Sequence, residues 1–173
     1  MRLSRSGIRA LALGGAAAFC AGCVPATEPL APKAAPSDLD RIEYSIGPCR
    51  GSCPVYSFSI AADGIAFFEG ERHTRVAGRV PVDGGPALFQ RLKARLAPLR
   101  PDADRSISHD ACVAYATDQQ TVTVAWNWGA GRRRTLSYDL GCGEERYAPL
   151  RRALSELRRE LPIDALVGRA TEF

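Results

Sequence analysis

Gln120-Thr121-Val122-Thr123-Val124-Ala125-Trp126-Asn127-Trp128 carries the clearest structural signal in this chain. Val122, Val124, Trp126 and Trp128 share one face of an extended backbone, and Thr121, Thr123 and Asn127 share the other. A side-chain period of two marks a strand with one face buried. Gly129-Ala130-Gly131 supplies a turn, and Thr135 to Leu140 returns with Leu136, Tyr138 and Leu140 aligned. The pattern predicts an antiparallel hairpin.

The same alternation recurs upstream. Ile42 to Ile46 reads as a strand, and Val55 to Ala61 places Tyr56, Phe58 and Ile60 on one face. Asp63-Gly64 is a strong turn pair, and Ile65 to Glu69 supplies the returning strand. A fainter strand pattern covers Arg75 to Val82. Asp83-Gly-Gly-Pro86 then suits a helix start, because the missing N–H of proline costs nothing in a first turn. Leu88, Phe89, Leu92, Leu96 and Leu99 follow at helical spacing until Pro98 and Pro101 close the element. Residues 102–118 read as irregular. A final helix begins near Tyr147 and carries Leu150, Leu154, Leu157 and Leu161 as its apolar stripe, ending at Pro162. The order is βββ(β)-α-ββ-α, which predicts an α+β domain: an antiparallel sheet of five to six strands with two helices on one face.

The N-terminus reads as an address. Arg2, Arg5 and Arg9 precede an apolar run from Ala10 to Phe19, followed by Ala21-Gly22-Cys23. Basic residues, a short apolar core and small residues make a secretory signal, too short for a spanning helix of about 20 apolar residues. The small-small-Cys ending resembles the lipobox of bacterial lipoproteins, although Cys20 stands where an aliphatic residue is usual. That resemblance implies cleavage after Gly22, acylation of Cys23 and, with Val24 rather than Asp next, retention at the outer membrane. Residues 1–22 are then a lipoprotein signal peptide, and residues 23–37, rich in proline and alanine, a tether. The folded domain is expected over residues 38–173, long enough to bury its own core. The predicted location is the cell envelope, facing the periplasm.

Loss of residues 1–22 removes three arginines and no acids. The precursor charge of +4 falls to +1, with 20 bases against 19 acids. A near-neutral mature protein has no overall electrostatic case for nucleic acid. Arg132-Arg133-Arg134, Arg151-Arg152 and Arg158-Arg159 are read as a hairpin tip and a solvated helix face, with contact to anionic lipid heads or envelope polymer as the functional alternative.

Of six cysteines, Cys20 leaves with the signal and Cys23 takes the lipid, so Cys49, Cys53, Cys112 and Cys142 remain. An even count in an exported chain argues for disulfides, and four cysteines allow three pairings. Cys112 precedes one strand of the second hairpin and Cys142 follows its partner, which favours Cys112–Cys142 and leaves Cys49–Cys53 as a short ring. A thiol-redox or metal role for Cys49 and Cys53 is the alternative. Redox pairs of the thioredoxin type favour two intervening residues at a helix N-terminus, whereas here three intervene and Pro54 leads into a strand.

Ile46-Gly-Pro48-Cys49-Arg-Gly51-Ser-Cys53-Pro54-Val-Tyr56, with the hairpin signal at Asp63-Gly64 and Pro162-Ile163-Asp164-Ala165-Leu166 near the end, resembles an uncharacterised bacterial family, the domain of unknown function numbered 6438. The shared pattern is Gly-Pro-Cys-x-Gly-x-Cys-Pro-x-Tyr, a following hairpin and a C-terminal helix, over most of Asp38 to Leu166. It departs at Arg50, where an aromatic is common. The resemblance implies an exported or lipid-anchored domain and carries no activity with it.

The remaining chemistry is sparse. His73 and His109 are the only histidines, too few, with the cysteines paired, for a zinc site of three or four ligands. His109-Asp110 beside Ser106 and Ser108 lacks the Gly-x-Ser-x-Gly elbow of a hydrolase, and such neighbours rarely meet in triad geometry. Asp102, Asp104, Asp110 and Asp118 lack the spacing of a calcium loop. Trp126 and Trp128, with Tyr56, are the candidate ligand platform. The sequence therefore predicts a non-catalytic binding or structural module, without metal or cofactor, held to the membrane by its lipid and facing an envelope protein or polymer.

Overall fold

Seven strands and three helices emerge from these patterns in a computed structural model that describes residues 39–129 and 131–168. The signal peptide, Cys23 and the tether lie outside the described residues. The strands are β1 (Arg41–Ile46), β2 (Val55–Ala61), β3 (Ala66–Arg72), β4 (Gly78–Val82), β5 (Arg105–Ile107), β6 (Thr121–Trp128) and β7 (Arg132–Asp139). They form one sheet in the order β4-β3-β2-β1-β6-β7-β5. The helices are α1 (Pro86–Leu96), α2 (Ala148–Glu160) and the single turn α3 (Asp164–Val167).

The α+β class holds, and the strand count and sense need correction. Six strands pair antiparallel, but β5 adds a seventh at the edge and runs parallel to β7, with Ile107 beside Tyr138. Three residues carry too little alternation to announce a strand, which is why this segment read as irregular. Boundaries also move: β4 starts at Gly78 rather than near Arg75, and β7 starts at Arg132 rather than Thr135. Ile65 belongs to the β2–β3 turn and is 43% exposed; its N–H is taken by Asp63 Oδ1 at 3.0 Å, so β3 starts one residue later. Leu140 lies beyond β7, exposed, instead of continuing the Leu136–Tyr138 face.

Register decides the two faces of the sheet. Ile60, Ile42 and Trp126 form one cross-strand row; Phe58, Tyr44, Val124 and Leu136 form the next. These side chains join Leu88, Phe89, Leu92 and Leu96 of α1 and Leu154 and Leu157 of α2 in one apolar cluster. Both long helices therefore cover the same face, as the sequence predicted. On the opposite face a single row crosses all seven strands: Arg79, Glu69, Ser57, Ser45, Thr123, Ser137 and Ser106. Thr123 Oγ1 and Ser137 Oγ lie 2.9 Å apart within it. Small hydroxyls keep that face hydrated where apolar residues would demand a second layer.

Two contacts set the position of α1. Gly64 has φ +86°, a region open to glycine, and a Cβ there would collide with the Gly85 backbone. The bare turn lets Gly64 O accept the Gly85 N–H at 2.9 Å, at the first turn of the helix. At the other end, Arg95 bridges to Glu156 at 2.9 Å and Glu160 at 2.5 Å, one turn apart on α2.

The cysteines are bonded as Cys49–Cys53 and Cys112–Cys142, with Cα separations of 5.7 and 5.6 Å. The second pairing has a further cause beyond the hairpin ends. Cys112 lies nine positions before β6, and the intervening loop adds its own antiparallel bridge, Tyr115 against Cys142. Ala116 N–H donates to Gly141 O at 2.8 Å and Gly143 N–H to Ala114 O at 2.9 Å. Gln120 performs the matching service for the short ring. Its Nε2 donates to Gly47 O at 2.7 Å and to Pro54 O at 2.8 Å, holding both ends of the Cys49–Cys53 loop.

Candidate functional site

Phe89, Lys93, Ala97 and Arg100 recur at intervals of four, four and three along α1 and the 3₁₀ turn that continues it, Ala97–Leu99. That spacing places them on one side of a helix. The side faces the ends of β1 and β6, where Asp40, Arg41, Ile42, Trp126, Asn127 and Trp128 complete a cleft of about 200 Å³. The sequence singled out the two tryptophans. Phe89, Lys93 and Arg100 escaped it, because their helical spacing says nothing about which strand end they meet.

The cleft has aromatic walls and a surplus of hydrogen-bond donors. Trp126 is 5% exposed and its indole N–H has no acceptor among the described residues. Asn127 lies on the opposite face of β6, where its Oδ1 accepts from Arg133 at 3.0 Å and its buried Nδ2 has no partner among the described residues. A buried donor left unpaired costs about 1–3 kcal/mol, so native structures rarely keep one without cause. The Arg100 guanidinium sits 5.2 Å from the centre of the Trp128 ring and has no carboxylate partner among the described residues. Asp40 is the single acid of the lining, and Lys93 Nζ already engages it at 3.3 Å.

Trp128 is half-buried and also walls an adjoining hollow of about 210 Å³ with Leu39, Glu43 and Arg132. The Arg132 guanidinium lies 5.5 Å from its ring centre. The tryptophan thus separates two hollows, with one arginine against its ring from each. Arginine over an indole face is a favourable pairing that holds the ring in place.

Tyr56 takes no part in this platform. It lies four residues along the strand register from the Trp126 row, buried, with its ring 5.7 Å from Phe68 and 6.3 Å from Tyr44. Its hydroxyl accepts from Arg158 Nε at 2.6 Å. Burial raises the pKa of both Tyr44 and Tyr56 above the usual tyrosine value, so the pair stays protonated. Arg158 consequently departs from the solvated helix face expected of it. Its side chain is 23% exposed and joins α2 to the sheet and to Asp164 at 2.7 Å. Arg133 and Arg134 likewise have partners, Glu43 Oε2 at 2.8 Å and the Asp102 carbonyl at 2.8 Å.

The remaining candidates stay apart. His109 and Asp110 pair at 2.8 Å with 68% and 81% of their side chains exposed. The His109 ring stacks edge-on to Tyr115, with centroids 5.9 Å apart. Its Nε2 therefore faces the neighbouring carboxylate. Cys49 and Cys53 are half-buried in an exposed loop, whereas Cys142 is wholly buried. Among the described residues no group of three His, Cys, Asp or Glu side chains is placed to hold a metal ion. A third hollow, about 330 Å³, lies on the uncovered sheet face between Arg41, Glu43, Ser57, Glu69, Arg79 and Arg133.

Fold and cleft together describe an α+β domain stapled by two disulfides, with an aromatic and basic cleft at one corner of its sheet. The family described as Domain of unknown function (DUF6438) matches residues 40–159, and the chain belongs to that family. The match spans all seven strands, α1 and nearly all of α2. Comparison with curated proteins gives no match.

Proposed function

We propose that this protein is a lipid-anchored binding module of the bacterial cell envelope that carries out no reaction of its own. Ala21-Gly22-Cys23 and the basic, apolar stretch before it support export and anchoring. Two disulfides support an oxidising compartment. No helix among the described residues is long and apolar enough to cross a membrane, so attachment in this reading falls to the acylated Cys23. The observation that carries the binding role is the composition of the corner cleft. Trp128 offers ring area over the buried Phe89 and Trp126, and Arg100 offers directed charge beside the Lys93–Asp40 pair. A few placed polar groups in an aromatic wall are the usual make-up of a ligand site.

The test has two parts. Palmitate labelling of the exported protein is expected to depend on Cys23 and to vanish in Cys23→Ser; label that persists overturns the anchor. Solubilised envelope polymer is expected to change the tryptophan fluorescence of the purified chain in a saturable way, and Trp128→Ala to remove most of that change. An envelope fraction that never perturbs either tryptophan overturns the binding role of this corner.

A further inference from the structure

Resting on the reading of this corner as a ligand site, we infer that the cleft takes an oxyanion, carboxylate or phosphate, carried on a small flat apolar group. Two observations converge. Trp126 lines the cleft, is 5% exposed and has an indole N–H without an acceptor. Arg100 holds its guanidinium over Trp128 with no carboxylate to neutralise it among the described residues.

Each of these groups asks for an acceptor, and the lining offers almost none. Asp40, the only acid in it, is occupied by Lys93 at 3.3 Å. A neutral apolar guest would leave the orphan indole N–H unpaired and a guanidinium without a counter-charge, both unfavourable in a partly dry site. An oxyanion satisfies them together, since charge-assisted bonds are roughly twice as strong as neutral ones. The walls dictate the rest of the guest. Half-buried Trp128 presents ring surface, backed by Phe89 and Trp126, which are 1% and 5% exposed, and about 200 Å³ is below the usual range of a complete small-molecule site. The guest is therefore one small moiety or the end of a polymer.

The chain contains two tryptophans, so tryptophan-labelled protein shows two indole N–H resonances, assigned by the loss of one in Trp128→Phe. The whole exported chain is titrated with benzoate, phenyl phosphate, benzamide and inorganic phosphate. Benzoate or phenyl phosphate is expected to move the Trp126 N–H downfield with saturation, and whichever binds tighter identifies the oxyanion. Benzamide, of the same shape and no charge, is expected to bind at least tenfold more weakly. Arg100→Met is expected to weaken the anion by about 10- to 100-fold, the ordinary worth of a hydrogen bond to a charged group. If that variant loses the native amide spectrum, Arg100→Gln provides the same comparison. Equal binding of benzamide and benzoate overturns the anion while leaving the cleft a binding site. Silence of the Trp126 N–H to all four probes overturns the inference, and the fluorescence response to envelope polymer then decides separately whether the corner binds anything.

Discussion

Arg158 Nε donates to Tyr56 Oη at 2.6 Å across a sequence separation of 102 residues, and its guanidinium lies 5.6 Å from the centre of the same ring. Tyr56 closes the Gly-Pro-Cys-x-Gly-x-Cys-Pro-x-Tyr motif, and Arg158 stands on the last long helix. One contact thus ties the most distinctive stretch of the chain to its C-terminal end.

That tie predicts the effect of Arg158→Met. Tyr56 is 3% exposed, so its hydroxyl has little access to water once the arginine is gone. The loss is expected to cost about 1.5–3 kcal/mol, the range for a bond to a charged group. Urea unfolding followed by circular dichroism measures it. Asp164→Asn, which removes the exposed partner of the same arginine, is expected to cost less than about 1 kcal/mol.

Alkaline pH is expected to weaken the fold. Burial lifts the Tyr44 and Tyr56 pKa values above the usual 10, so the folded state keeps protons that the unfolded state gives up. Wherever the unfolded chain binds fewer protons, stability falls with rising pH. The stabilisation is complete below pH 10 and declines as pH rises beyond it. Urea midpoints compared between pH 8 and pH 11 should show a smaller decline for Tyr44→Phe than for the parent chain. An equal decline would place the alkaline sensitivity elsewhere.

The two disulfides are expected to open in a fixed order. Cys49–Cys53 sits in an exposed loop, while Cys142 is wholly buried behind the Tyr115 bridge. Mild dithiol followed by alkylation and mass spectrometry should label Cys49 and Cys53 first. Their loss is expected to cost about 2 kcal/mol, against about 3–4 kcal/mol for the 30-residue separation of Cys112–Cys142, in the chain-entropy picture. Gln120→Ala removes the clamp on Gly47 and Pro54, and should speed reduction of the short ring without touching the long one.

Gly141→Ala is expected to be disruptive although the glycine lies in a turn rather than a strand. A Cβ there would run into the Ala116 carbonyl and lie 2.9 Å from the Tyr115 ring. The Tyr115–Cys142 bridge cannot keep its spacing, and overpacking of this kind typically costs 1–3 kcal/mol. Gly143→Ala is the control, since its nearest neighbour, Ala114 O, would be at an ordinary 3.6 Å. Thermal unfolding of the two variants should separate them by several degrees.

Much of the fold was legible in the residues. Val55–Ala61 and the helix starts at Pro86 and near Tyr147 needed only periodicity and capping, both local properties. The parallel β5 was not legible, since three residues cannot display a period and their partner lies 31 positions away. The candidate site was legible only in part. Trp126 and Trp128 stood out as aromatics on a clear strand, whereas Tyr56 was grouped with them on residue type and belongs to a different region.

The residues by themselves determined the α+β class and the alternation that gives the sheet one apolar and one polar face. They determined membership of the family as well, through one motif at fixed spacing. Tertiary structure alone decided that α1 turns Phe89, Lys93 and Arg100 toward Trp126 and Trp128, and that the tryptophan N–H is left without an acceptor. The reason is physical. Periodicity acts between neighbours in the chain, while a cleft depends on register and helix placement, which are chosen by the summed packing of the whole core.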